Sequence, residues 1–123
     1  MSDTIPEDAD YTETIFMHPT ILFRYSAIGF VGHRIHYDYP YTKNEENYPD
    51  LIVHGPLQAT FLLRAAEKLK GKTVTSFSHK VMAPVFANSD YIIGAKENTD
   101  GSVSCWGAVK GSGMTMQAEA RFE

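Results

Sequence analysis

Cysteine, long apolar runs and clusters of basic residues are all scarce in this sequence of 123 residues. Cys105 is the only cysteine, so the chain cannot form an internal disulfide, and we expect this thiol to pack as a small apolar side chain. No apolar run reaches the roughly 18 residues that a membrane-spanning helix needs. The net charge of −4 opposes nonspecific binding to nucleic-acid phosphates. We therefore expect neither a membrane nor a nucleic acid as a partner.

The N-terminal segment is acidic and has no apolar stretch. It resembles neither a secretory signal nor an arginine-rich transit peptide, which favours a cytoplasmic protein over one of the mitochondrial matrix. The length of the chain suits one domain of ordinary size. We expect residues 1–12 to form a flexible acidic arm and residues 13–123 to form that domain.

The clearest periodic pattern follows Pro56, which suits the first turn of a helix because proline has no N–H to leave unpaired. Gly71 is a natural stop. The residues at helical spacing are apolar, whereas Gln58 and Arg64 fall on other faces. The apolar positions are Leu57, Phe61, Leu62, Ala65, Ala66 and Leu69. The pattern predicts a helix over residues 56–70.

The remaining segments predict mostly strands. Residues 20–28, TILFRYSAI, mix aromatic and β-branched types and predict a strand, whereas residues 39–50 predict a surface loop with room for a short helix. The dipeptide Asp-Gly within residues 98–101 indicates a hairpin. Strand-like segments after the helix cover 73–82, 89–97, 102–110 and 114–122. The order predicts an α+β domain in which an antiparallel sheet covers one helix.

Three of the five histidines, His33, His36 and His54, lie in the stretch from Phe30 to Gln58. Histidine changes its charge near neutral pH, so such clustering indicates acid–base chemistry. His36 could serve as a general base, with a structural histidine bonded to the backbone as the alternative. Together with Asp38 these histidines could also bind a metal. Their spacing matches no helical pair of metal ligands, so we predict no metal site.

Charged neighbours and the helix entrance complete this stretch. We expect Arg34 and Asp38 to pair with each other or with neighbours and to fix the loop. The sequence Val53-His54-Gly55-Pro56-Leu57 then opens the predicted helix. A helix N-terminus exposes N–H groups with partial positive charge, and glycine lets a ligand approach the backbone, so Gly55 could bind a carbonyl oxygen that gains negative charge. The alternative is that Gly55 only eases the turn and that His54 packs.

The runs LFRYSAIGFVGHRIHYDYPY, YPDLIVHGPLQATFLL and FSHKVMAPVFANSD resemble the MaoC-like hot-dog hydratases and dehydratases. They are most similar to the branch of mitochondrial-type 3-hydroxyacyl thioester dehydratases and mesaconyl-CoA hydratases. The resemblance covers most of residues 20–90, and the HRIHYD and HGPLQ blocks are its specific parts. Members of that branch are often twice as long, with two hot-dog halves, and this chain resembles the second, catalytic half standing alone.

The resemblance implies a hot-dog fold, a homodimer, and substrates that are acyl groups on coenzyme A or acyl carrier protein, with no further cofactor. It implies that His36 exchanges the α-proton of the thioester and that the N–H of Gly55 binds the thioester oxygen. Apolar residues would contact the acyl chain. For this role we expect Phe30, Val31, Val53, Pro56 and Leu57.

One position departs from the family pattern. The wider family has an aspartate five residues before the catalytic histidine, where this chain has Val31. A valine side chain can neither donate nor accept a hydrogen bond. His33, Asp38, Tyr41 or a bound water could take over that role, with His54 as a further supporting residue. We expect a hydratase or dehydratase of enoyl thioesters, with a hot-dog thioesterase or a noncatalytic acyl-thioester-binding module as alternatives.

Overall fold

The computed structural model describes residues 9–28, 34–109 and 112–122. These described residues form five strands, three α-helices and one 3-10 turn. The helical elements are α1 (Pro19–Ile28), the turn Arg34–His36, α2 (Tyr39–Asn44) and α3 (Gly55–Lys70). The strands are β1 (Tyr11–Phe16), β2 (Ser76–Val81), β3 (Asp90–Glu97), β4 (Val103–Val109) and β5 (Gly113–Arg121).

The five strands form one antiparallel sheet in the order β1-β3-β4-β5-β2. The predicted hairpin at residues 98–101 is confirmed, since it joins β3 to β4 and Gly101 adopts a φ of +88°. Along β3 the buried side chains of Tyr91, Ile93 and Ala95 alternate with their neighbours and belong to the main core. That core lies between the sheet and α3.

Helix α3 confirms the strongest sequence prediction and begins one residue earlier, at Gly55. Pro56 occupies its first turn, and Gly71 ends it in the left-handed region with φ +71°. The N–H of Gly71 donates to the carbonyl of Glu67 at 2.8 Å, which satisfies one of the last carbonyls of the helix. Because the apolar side of α3 packs on the sheet, its N-terminal end is held at a fixed place.

Two sequence predictions in the N-terminal part are wrong. Residues 20–28 form helix α1 and not a strand: Pro19 starts the helix, and the side chains of Leu22 and Ser26, one turn apart, are both buried. Strand propensity is a weak preference that packing overrides. Strand β1 was not predicted, and it starts at Tyr11, within the predicted arm. Residues 1–8 of that arm lie outside the described part of the chain.

The middle and the end of the chain follow the predictions more closely. The loop predicted over residues 39–50 contains the short helix α2. The four strands predicted after α3 are all present, with bounds that differ by no more than three residues at either end. Cys105 is buried in β4, where it pairs with Ala95 and Ala118 of the neighbouring strands. Burial raises the pKa of its thiol to about 12, as expected for a cysteine that packs as an apolar residue.

Candidate active site

The segment that carries His36 is fixed by backbone contacts and by a helix cap. His36 ends the 3-10 turn, and Asp38 two residues later caps α2 by accepting a hydrogen bond from the N–H of Tyr41 at 3.1 Å. The hydroxyl of Thr42 donates to the carbonyl of Asp38 at 2.8 Å. Asp38 thus orders the loop, as a cap residue does. The hydroxyl of Tyr41 donates to Glu46 at 2.8 Å.

The ring of His36 is held by a backbone carbonyl. Its Nδ1 lies 2.6 Å from the carbonyl oxygen of Ile52, and the N–H of Ile52 in turn donates to the carbonyl of Ile35 at 2.8 Å. A carbonyl oxygen can only accept, so Nδ1 carries the proton. In the neutral ring, Nε2 is then the nitrogen that can take up a proton. This is the tautomer that a general base requires.

His54 lies directly against His36, with ring centroids 3.7 Å apart and ring planes inclined by 19°. Its Nε2 lies 2.7 Å from the hydroxyl oxygen of Ser26 on α1. Only 2% of His54 is exposed, and within the described residues its Nδ1 has no hydrogen-bond partner. Burial, and secondarily the neighbouring His36, lower the pKa of His54 to about 4. His54 is therefore neutral at physiological pH.

Gly55 is the first residue of α3, immediately after His54. The N–H groups of the first turn have no partners within a helix and carry a partial positive charge. The bond from the N–H of Gln58 to the carbonyl of His54, at 3.1 Å, closes this turn. The end of α3 is therefore suited to an oxygen that carries negative charge.

A cleft of about 380 Å³ brings these groups together. Its described lining consists of His36, Ile52, Val53, Gly55, Gln58, Val81, Met82, Ala83 and Pro84. Among these side chains only His36 and Gln58 carry nitrogen or oxygen atoms, and the rest are apolar. An apolar cleft with few polar groups is typical of a small-molecule site.

A second, larger cavity of about 560 Å³ has a lining that includes Lys80, Trp106 and Gln117. None of the cleft residues lines it. Size alone favours this cavity, but the smaller cleft combines the imidazole of His36 with the N-terminus of α3. We therefore assign the candidate site to the smaller cleft.

Gln58 was missed by the sequence interpretation, which assigned it to the polar side of α3. It is 2% exposed, and its Oε1 accepts hydrogen bonds from the hydroxyls of Tyr91 at 3.2 Å and of Thr115 at 3.3 Å. Gln58 lies four residues before Leu62 and seven before Ala65, a spacing that places all three on one face of a helix. This spacing indicates that Gln58 is buried, whereas its polar side chain indicates exposure.

The other predicted site residues fall into four groups. Val53 lines the cleft together with His36 and Gly55. Pro56 is exposed and Leu57 is packed in the core, so neither is among the cleft residues, because the first turn of α3 directs them elsewhere. Phe30, Val31 and His33 lie outside the described residues. For Arg34 only the backbone, at the start of the 3-10 turn, is described.

Two further features concern metals and membranes. Across residues 9–28, 34–109 and 112–122, no three histidine, cysteine or carboxylate side chains converge as metal ligands would. In the same ranges, no helix combines the length and the apolar character that crossing a membrane requires.

Residues 2–87 match the family model of the type 2 hydroxyacyl-thioester dehydratases. The chain belongs to this family. It is 43% identical over 89 residues to the mesaconyl-C(4)-CoA hydratase of Chloroflexus aurantiacus, a match that covers 72% of this chain and 32% of that protein. It is 37% identical over 73 residues to the mitochondrial type 2 hydroxyacyl-thioester dehydratase of Schizosaccharomyces pombe, covering 57% of this chain and 24% of that one.

The matched segments thus span about a third or less of these relatives. The fold of this family member is shared with the (R)-hydratase from A. caviae, with a TM-score of 0.76, 18% identity and 94% of each chain covered. With the antiparallel sheet and α3, this likeness confirms the predicted hot-dog fold.

Proposed function

We propose that this chain reversibly adds water to a short- or medium-chain enoyl thioester carried by coenzyme A or acyl carrier protein, as a hydro-lyase. The observation that carries the proposal is the meeting of His36 and the N-terminal residue of α3, Gly55, in one apolar cleft. The names of the relatives from Chloroflexus aurantiacus and Schizosaccharomyces pombe support the same chemistry.

The two groups suit the two demands of this reaction. An oxygen that gains negative charge as the thioester becomes enolate-like would bind the N–H of Gly55 at the positive end of α3. In hydration, the oxygen of water bonds to the β-carbon, His36 takes a proton from that water, and the same proton passes to the α-carbon. Dehydration runs through the same transfers in reverse. As the bond from oxygen to the β-carbon forms, the electron pair of the carbon–carbon double bond shifts towards the α-carbon, which then takes the proton. No oxidant or reductant is needed, so we propose no cofactor besides the thioester carrier.

The neutral state of His54 favours proton uptake by its neighbour. When His36 becomes an imidazolium, a second positive ring at 3.7 Å would oppose it. Burial keeps His54 uncharged, with a pKa of about 4, so this repulsion does not arise. The buried pair therefore permits the protonated intermediate of His36 that the mechanism needs.

The test is the loss of enoyl absorbance when pure protein is mixed with crotonyl-CoA or mesaconyl-CoA. We expect His36→Ala to lower the rate by about 100- to 10,000-fold, as loss of a general base does. The exposed histidine at His18 provides a matched control, and His18→Ala should leave the rate unchanged. If wild-type protein hydrates neither thioester, hydration of these substrates is excluded.

The same samples separate the two alternative functions. A hot-dog thioesterase would release free thiol from the acyl-CoA, whereas hydration leaves the thioester bond intact. None of the described cleft residues carries a carboxylate that could activate water for hydrolysis. A noncatalytic binding module would bind the thioester in calorimetry and leave both signals unchanged.

We also propose that two copies of the chain form a homodimer through β2. This strand is at the edge of the sheet, and Val81 at its end is 54% exposed and lines the cleft. An exposed edge strand can pair with the same strand of a second copy. Light scattering should show a dimer that Val81→Glu converts to a monomer. The matched control is Phe16→Glu on the opposite edge, β1, which should stay dimeric; monomeric wild-type protein would contradict the proposal.

A further inference from the structure

The proposed reaction has a third atom to hold, the oxygen on the β-carbon. His36 would handle the protons and Gly55 the thioester oxygen, which leaves Gln58 as the remaining polar side chain in the described lining of the cleft. We propose that the side-chain amide of Gln58 binds the β-oxygen, as water in one direction and as the departing hydroxyl in the other. This inference rests on the proposed hydration of enoyl thioesters.

The position of Gln58 suits that role. It lies three residues after Gly55 on α3, so both fall on the same side of the helix within one turn. It is almost fully buried and yet contributes to the cleft lining. A polar side chain that is buried at the wall of an otherwise apolar cleft marks a place where a polar ligand atom can be held.

Two hydroxyl groups of the sheet orient the side-chain amide of Gln58. The hydroxyls of Tyr91 and Thr115 lie 3.2 and 3.3 Å from Oε1 of Gln58 and donate to it. Burial raises the pKa of Tyr91 far above its usual range, so this hydroxyl stays protonated as a donor. With Oε1 occupied by both hydroxyls, the Nε2 end of the amide offers its two N–H groups to a ligand.

The Tyr91 hydroxyl, which holds this amide, occupies space that the sheet leaves free at Gly107. A Cβ atom placed on Gly107 of β4 would clash with the hydroxyl of Tyr91, which reaches across from β3. Thr115 belongs to the next strand, β5. The surroundings that hold the amide of Gln58 therefore involve three strands, β3, β4 and β5. The Tyr91 hydroxyl can reach Gln58 only because residue 107 is a glycine.

Gln58 would act in one step of the reaction, in which the bond between the β-carbon and its oxygen breaks or forms. In dehydration, His36 removes the α-proton, the bond between the β-carbon and oxygen breaks, and its electron pair goes to the oxygen. An N–H of Gln58 stabilises the charge on that oxygen until the imidazolium of His36 returns the proton and water leaves. A saturated thioester has no β-oxygen, so exchange of its α-protons needs His36 and Gly55 alone.

Two assays on Gln58→Leu test the assignment. We expect hydration of crotonyl-CoA to fall by about 100-fold or more, as on loss of one such donor. Exchange of the α-protons of butyryl-CoA with deuterium oxide should stay close to the wild-type rate. A structural role of Gln58 would reduce both rates in parallel, and that result, or unchanged hydration, would overturn the inference.

A second variant covers the case in which Gln58→Leu does not fold. In Gln58→Glu the carboxyl can donate a hydrogen bond only while it is protonated, so hydration should fall as the pH rises through its pKa, in a range where wild-type protein stays active. The control Gln117→Glu, at an exposed position of β5, should keep the wild-type profile. Equal profiles in both variants would overturn the inference. Absence of hydration in wild-type protein would overturn the proposed function together with it.

Discussion

The imidazole rings of His36 and His54 stack face to face, but different parts of the fold hold them. His36 is bound to the carbonyl of Ile52, and His54 is bound to Ser26 on α1. The stack therefore joins α1, the 3-10 turn and the entrance of α3 at one point. Burial lowers the pKa of His54, so this ring resists protonation.

The resistance of the buried His54 to protonation predicts how the free energy of unfolding depends on pH. The pKa of His54 is about 4 in the folded protein and near 6.5 in the unfolded chain, so between these values the unfolded state binds more protons. The free energy of unfolding should therefore fall as the pH drops from 6.5 to 4, by up to about 3 kcal/mol. Urea denaturation across this range measures it. His54→Gln should flatten the dependence, whereas His79→Ala, at an exposed histidine, should preserve it.

Ser26→Ala removes the hydroxyl that partners Nε2 of the buried His54. A buried polar atom left without a partner costs about 1–3 kcal/mol, so we expect the free energy of unfolding to drop by that amount. Ser76→Ala, at an exposed position of β2, should change it by less than about 0.5 kcal/mol. Equal effects of the two substitutions would contradict the importance of the Ser26 contact.

Gly107→Ala should displace the hydroxyl of Tyr91 from beneath Gln58. Overpacking of this kind costs about 1–3 kcal/mol, and we expect the folded variant also to lose hydration activity. Gly71→Ala is the matched substitution, because its φ of +71° makes alanine unfavourable by about 1 kcal/mol but no other group lies within 4 Å of the added atom. It should lower stability and leave the rate unchanged. A fully active Gly107→Ala would show that the Tyr91 contact is dispensable.

Substitutions of Asp38 can distinguish a role in helix capping from a role in the reaction. Asparagine also caps helices, so Asp38→Asn should retain both the stability and the hydration rate, whereas Asp38→Ala should cost about 1 kcal/mol. Thermal unfolding and the enoyl assay measure the two effects. If Asp38→Asn folds normally but is inactive, the carboxylate takes part in the reaction.

The parts of the fold that sequence could predict are those in which local chemistry and packing agree. Helix α3 shows apolar periodicity between Pro56 and Gly71, and the hairpin at residues 98–101 contains Asp-Gly at its turn. Helix α1 was mistaken for a strand because its β-branched and aromatic residues favour strands, while the contacts of Leu22 and Ser26 that stabilise the helix come from distant parts of the chain.

In the candidate site, too, some residues could be predicted from the sequence and others could not. His36 and Gly55 could be selected from residue type and from their place in the sequence, and the fold brings both to one cleft. The burial of Gln58 could not be read from its polarity, because its partners Tyr91 and Thr115 lie on strands far along the chain. The contribution of Ser26 was hidden for a related reason, since it depends on α1 being a helix.

The burial of Cys105 has a practical consequence for telling the proposed reactions apart. In the folded protein, the thiol of Cys105 is shielded and keeps its proton at neutral pH, so it reacts poorly with colorimetric thiol reagents. Any rapid colour formed with acyl-CoA would therefore come from released coenzyme A. Each denatured chain, by contrast, exposes one reactive thiol, so in samples without acyl-CoA the same reagent measures the fraction of unfolded molecules.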